Sequence, residues 1–153
     1  EIGVRLVGSE MCIRDRDYGV RALVDIALHS GGNNAVRSVD TSKRAVIPHP
    51  YLAQVLYSLS KAGLVKSVRG PKGGHILAKK PHDIRLSAVM KCLDGSEMLV
   101  SCLGDVDFCV HVPGCSQRDV WKKVEDSIFN VLDSVSIGDL AEKSKATTRS
   151  SSS

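Results

Sequence analysis

The chain has 153 residues, enough for one compact domain, or one with an arm, and for a real hydrophobic core. Its apolar fraction is an ordinary 42% but aromatics reach only 4%, so that core must be built mainly from Leu, Val, Ile and Ala. The formal net charge of +4 hides an asymmetry: residues 17–82 carry ten Lys/Arg against three Asp, whereas residues 83–153 carry eight against eleven acids. The basic half suits a polyanion and the acidic half does not. No apolar run approaches the length of a membrane span and the first residues do not form a signal peptide, so a cytoplasmic location is expected. Five cysteines in such a chain argue for metal or redox chemistry over structural disulfides.

Residues 1–16, EIGVRLVGSEMCIRDR, show no periodicity matching the remainder of the chain and are read as a non-native leader, Cys12 included. From Asp17 onward, Val20, Leu23, Val24, Ala27 and Leu28 recur at helical spacing and predict an amphipathic helix over 17–30, with Asp17 suited to its N-terminus. Gly31-Gly32-Asn33-Asn34 breaks the chain, and a short helix is predicted over about 38–45. Ile47-Pro48-His49-Pro50 makes a turn into a helix over 49–62, striped by Leu52, Val55, Leu56, Leu59 and Ala62 and closed by Gly63. Two β-type runs, Leu64–Val68 and His75–Leu77, flank the basic glycine-rich tip Arg69-Gly70-Pro71-Lys72-Gly73-Gly74. Helix, short helix, turn, helix and hairpin form the winged helix-turn-helix order, here over 17–82.

Past Pro81, a helix over Ile84–Leu93 leads into the segment 83–115, which carries three cysteines, Cys102, Cys109 and Cys115, spaced C-x6-C-x5-C. Ser116 with Asp119 resembles a capping box opening a long helix within 116–140. Val120, Trp121, Val124, Ile128, Val131, Leu132 and Val135 stripe one side of it, and a partner subunit is the natural acceptor of so long a stripe. Residues 141–153, ending TTRSSSS, are polar and low in complexity and are expected to be disordered. The fold class is therefore mainly α: a winged helix-turn-helix with a small β-hairpin wing plus a long C-terminal dimerisation helix.

On the helix over 49–62, His49, Tyr51, Ala53 and Gln54 stand where a recognition helix meets base edges, and Gln54 can make a bidentate contact to adenine. Tyr57, Ser58 and Lys61 lie further along, within reach of phosphates, although Tyr51 and Tyr57 could equally pack against neighbouring helices. In the wing, Arg69 suits a minor groove, and Lys72 with the backbone N–H groups of Gly70, Gly73 and Gly74 suits phosphates. Three soft thiolates in one short segment point to an iron–sulfur cluster. Cys115 precedes a helix N-terminus, where the macrodipole favours thiolate over thiol. A zinc site would use the same thiolates plus a fourth ligand. Cys92, on a predicted helix, reads as a small buried residue, with a resolving-thiol role as the alternative.

The runs DYGVRALVDIALH, IPHPYLAQVLYSLSKAGLV, SVRGPKGG and CSQRDVW…VLDSVSIGDL together resemble the IscR/NsrR family of winged-helix iron–sulfur regulators, from Asp17 to about Leu140. The resemblance implies a homodimer on palindromic double-stranded DNA operators, with Cys102, Cys109 and Cys115 as cluster ligands. In the cluster-assembly branch a histidine stands three residues after the last cysteine; here that position is Arg118, which cannot ligate. In the nitric-oxide-sensing branch an aspartate at the start of the first helix of the other subunit completes the set; here that position is Asp17. The resemblance thus implies a 4Fe–4S cluster held by three Cys and one Asp, with a 2Fe–2S cluster and His111 as alternatives. His75 stands where the family often has an aromatic and reads as a packing residue of the wing. The implied function is a cluster-dependent repressor or activator sensing nitric oxide, redox state or iron–sulfur status. Its rivals are a regulator with a structural zinc or thiol-switch loop, and a protein-interaction adapter. No nucleophile–base pair, phosphate loop or paired carboxylates suggest an enzyme.

Overall fold

The computed structural model describes residues 2–31, 34–94 and 116–151. Helix α1 runs from Ile2 to His29. It is longer than the helix expected over 17–30, because residues 2–16 continue the same helix instead of standing apart from it. Asp17 consequently lies in mid-helix and caps nothing, and its carboxylate pairs with Arg21 one turn on at 2.6 Å. Helix α2 spans Ser38–Ala45 and helix α3 spans His49–Lys61, with Pro50 in the first turn, where a missing N–H costs no intrahelical bond. Between them Val46 adopts a left-handed conformation, φ 55° and ψ 55°, which lets the chain reverse within a few residues.

After α3, Gly63 takes φ 77°, a conformation a side chain would resist, and turns the chain into the hairpin. Strands β1, Val65–Val68, and β2, Gly74–Leu77, pair antiparallel from Val65↔Leu77 to Val68↔Gly74. Val36 adds a bridge to His75 through two backbone hydrogen bonds of 2.9 and 2.7 Å, fastening the wing to the segment before α2. Gly74 makes this possible, since a Cβ there would sit 2.3 Å from the Val36 carbonyl oxygen. A 3-10 turn, Pro81–Asp83, leads to α4, Leu86–Asp94. Helix α5 spans Arg118–Ser134 and helix α6 spans Ile137–Ser150.

Two expectations at this end are corrected. Ser116 and Asp119 form no capping box: α5 begins one residue later than that box requires, with Gln117 at the N-cap and no side-chain cap bond. The tail expected to be disordered continues as α6 to Ser150. A capping box further along the chain fixes the start of α6: Ser136 Oγ accepts from the Asp139 N–H, and Asp139 accepts from the Ser136 N–H at 2.9 Å.

The core gathers Ala22, Leu23 and Ile26 of α1 with Leu52, Val55, Leu56 and Leu59 of α3, Leu64 and Val65 at the hairpin, and Ile84 and Val89. Ile137 of α6 completes it and is fully buried. At its edge Asp25, 6% exposed, accepts two hydrogen bonds from Arg44 of α2 at 2.8 and 2.9 Å. A buried carboxylate needs such a partner, and this one ties α1 to α2. No helix among the described residues is long and apolar enough to cross a membrane.

Candidate functional site

Helical spacing sorts α3 into two sides. Leu52, Val55, Leu56 and Leu59 are buried, while His49, Ala53, Gln54, Tyr57 and Lys61 are exposed along one face. The buried stripe therefore holds the helix against α1 and presents the opposite face to whatever the protein reads. The two tyrosines part company. Tyr51 is half-buried and tilts against Tyr18 of α1 with ring centroids 6.2 Å apart, so it packs; Tyr57 stands 69% exposed. His49 Nε2 lies 3.4 Å from Ser38 Oγ, joining the N-terminal ends of α2 and α3.

The wing lies beside this surface. Arg69 and Lys72 at its exposed tip line a groove of about 990 Å³ together with Arg37 and Arg44 of the α2 region. Arg37 donates to Asp40 at 2.9 Å, and that hydrogen bond holds the Asp40 carboxyl below the usual carboxylate range. The structure thus adds Arg37 and Arg44 to the basic surface that sequence reasoning confined to the wing and α3. The only signal for them in the sequence was their charge, without any indication of where α2 would lie. His75 packs into the wing with Nδ1 3.5 Å from Ser67 Oγ, and burial pushes its imidazole below the ordinary value. It is a wing residue, as its position suggested.

Of the sequence-predicted metal ligands, Cys102, Cys109 and Cys115 lie outside the described residues, as does His111. Asp17 is exposed on α1 and paired with Arg21. The two helices that bracket the cysteine segment are described. Ser87 of α4 donates to Asp133 Oδ1 of α5 at 2.6 Å, and Lys91 Nζ of α4 stands 5.5 Å from the Phe129 ring centroid of α5. On its other side α4 reaches α3: Cys92 Sγ–H donates to the Ser58 carbonyl at 3.2 Å, and burial pushes that thiol up, keeping it protonated. Leu93 packs so closely on Gly19 that a Cβ there would lie 2.3 Å from a Leu93 methyl. Arg118, the first residue of α5, has its Nε sealed from solvent with no hydrogen-bond acceptor among the described residues.

The outer face of α5 exposes Val120, Trp121, Val124, Ile128 and Val131, with Val131 65% and Val120 58% exposed. They border an apolar groove of about 520 Å³ that also takes in Leu132.

Comparison with known proteins agrees on one lineage. Residues 14–143 match the family described as "Rrf2: Iron-dependent Transcriptional regulator". The chain is 37% identical over 123 residues to the HTH-type transcriptional regulator IscR of Vibrio campbellii, covering 80% of this chain and 72% of that protein. Among solved structures it is similar to IscR of T. potens, at 37% identity, TM-score 0.67 and 85% coverage of both chains. It is also similar to CymR, the global cysteine regulator of B. subtilis, at 27% identity, TM-score 0.67, and 84% and 94% coverage.

Proposed function

Because this chain belongs to the Rrf2 family of DNA-binding transcriptional regulators and not to an enzyme family, we propose that it acts as a homodimer whose operator affinity is controlled by an iron–sulfur cluster. The observation that carries this reading is the placement of α4. That single helix hydrogen-bonds α5, the helix that follows the cysteine segment, on one side and α3 on the other.

The chain's residues fit such a group in two respects. Three thiolates, Cys102, Cys109 and Cys115, form a donor set that iron prefers. Arg118 Nε, three residues after Cys115, is a buried donor lacking an acceptor among the described residues. Bound there, the cluster would supply iron sites that react with nitric oxide or oxidants. We assign the fourth ligand to Asp17 of a second subunit, an exposed carboxylate on α1 that pairs with Arg21 in this one. An oxygen ligand of this kind favours a 4Fe–4S cluster with one exchangeable site.

The chain itself supplies the other parts. His49, Ala53, Gln54, Tyr57 and Lys61 face base edges and phosphates in the major groove, while Arg69, Lys72 and Arg37 hold the backbone alongside. The apolar stripe of α5 pairs with its symmetry mate and spaces the two recognition helices. Cys92 meets α3 and Leu93 meets Gly19 of α1, so a shift of α4 would be passed to both helices. A displacement of a few Å between two recognition helices is enough to lose specific contacts in successive grooves.

The test is iron and acid-labile sulfide in anaerobically purified protein, followed by operator binding before and after cluster removal. We expect both elements in the wild type and neither after serine replaces Cys102, Cys109 and Cys115, with operator affinity changed. A colourless protein carrying stoichiometric zinc would instead establish a structural zinc site, and binding to duplex that ignores salt would point to a protein-interaction adapter. Asp17→Ala should destabilise the cluster without unfolding α1.

A further inference from the structure

The last residue of α1, His29, lines the basic groove beside the wing, together with Arg37, Asp40 and Arg44 of the α2 region and Arg69 and Lys72 of the hairpin tip. Its ring is held on one side. His29 Nδ1 lies 2.9 Å from the Asp25 carbonyl oxygen and 3.2 Å from Asp25 Oδ1. Both are acceptors, so Nδ1 carries a hydrogen, and Nε2 is left without a partner among the described residues. The side chain is 44% exposed, which leaves room for a ligand at that second nitrogen. The charges around it are already arranged. Asp25, beneath the ring on the same helix, is matched by Arg44, which donates to both carboxylate oxygens at 2.8 and 2.9 Å. Arg37 and Asp40 pair with one another at 2.9 Å, while Arg69 and Lys72 stand exposed at the tip. A positive charge on His29 would therefore be surplus and would add to a cationic groove.

We infer that His29 binds a phosphodiester of the DNA backbone through Nε2 in its imidazolium form, so that docking on duplex takes up a proton. The inference rests on the reading of this groove as part of the DNA interface. A neutral imidazole with its hydrogen at Nδ1 presents only a lone pair at Nε2, which a phosphate oxygen repels. Protonation turns Nε2 into a donor and sets a cation against the anion, and the bound phosphate in turn favours the charged ring. Binding and protonation are thus linked, and affinity for duplex rises as pH falls through the range where histidine changes charge. The contact is to the backbone, so it operates on any base sequence.

The experiment uses the full chain as wild type, His29→Asn and His29→Lys, with a labelled duplex of mixed sequence as the probe. Affinity is read by anisotropy at several salt concentrations from about pH 6 to about pH 8. Proton uptake is read by calorimetry in two buffers of different ionisation enthalpy. We expect uptake by the wild type, and up to about one proton less in both variants. The salt slope of the wild type should steepen by up to about one as pH falls, whereas His29→Lys, with a fixed charge, should keep the steeper slope throughout. His49, exposed on α3, contributes equally to all three proteins and cancels in the comparison. Two variants without an imidazole guard against one of them failing to fold. Uptake equal to wild type in either folded variant overturns the role of His29 and leaves the DNA interface standing. A wild type that binds no duplex overturns both readings, so the two failures are distinct.

Discussion

The Ser87 hydroxyl donates a 2.6 Å hydrogen bond to Asp133, 46 residues away in sequence, and so ties the helix before the cysteine segment to the helix after it. Ser87 is 8% exposed, whereas Asp133 lies in solvent and can be rehydrated when its partner is lost. Ser87→Ala should therefore cost about 1 kcal/mol in urea unfolding. Its larger effect should be on coupling. The ratio of operator affinities measured by anisotropy with and without the cluster should shrink toward one, while the affinity of the cluster-free form stays near wild type.

The exposed stripe on α5 predicts a self-association surface. Ile128 is 41% exposed at its middle, flanked by Val124 and Val131. Ile128→Lys should give a folded monomer by sedimentation, since it puts a charge where a dry interface is needed, at a residue outside the core cluster of the described residues. Operator affinity should fall with it, because two half-sites are then read independently.

Acid should loosen α6 through its cap. The backbone N–H and hydroxyl of Ser136 hold the Asp139 carboxyl below the usual carboxylate range, helped by His82 and Arg85. A depressed folded-state value means the contribution is fully present above the unfolded value, near 4, and is lost as pH falls through the folded one. Stability should accordingly drop below about pH 4, and Asp139→Asn should flatten that part of the profile. Ser136→Ala, which removes a buried N-cap, should cost about 1 kcal/mol at neutral pH.

Base and backbone contacts should separate under substitution. Gln54→Ala should lower affinity for the best operator by about 1–3 kcal/mol and relax preference at a single base pair. Lys72→Ala should weaken binding to all duplexes alike and reduce the slope of log affinity against log salt by about one. A competition assay across single-substitution operators, run at several salt concentrations, distinguishes the two behaviours.

The sequence displays the winged helix almost completely, for reasons visible in particular residues. Leu52, Val55, Leu56 and Leu59 repeat at helical spacing and are all buried, and Gly63 stops that helix where the sequence places it. The basic tip between β1 and β2 is equally plain. What stays hidden depends on tertiary contacts. The final helix carries few apolar residues, and only the docking of Ile137 and Ala141 onto the core, together with the Ser136–Asp139 cap, offsets its polar composition. Ser116 and Asp119 imitate the same capping signal but lie one residue out of step with the start of α5. In the candidate site, the faces of α3 and α5 are legible from periodicity, whereas Arg37, Arg44 and the Ser87–Asp133 tie depend on how helices cross and leave no local pattern.

The burial of Ile137 beside Leu23 and Ile84 also bears on how the protein is made. A ribosome must synthesise α5 and the start of α6 after the winged helix before that plug becomes available, so the winged helix emerging first lacks part of its interior. Truncation ahead of α6 would thus expose the seam between the first helix and the turn at Pro81, and nascent chains stalled there should be targets for chaperones and proteases.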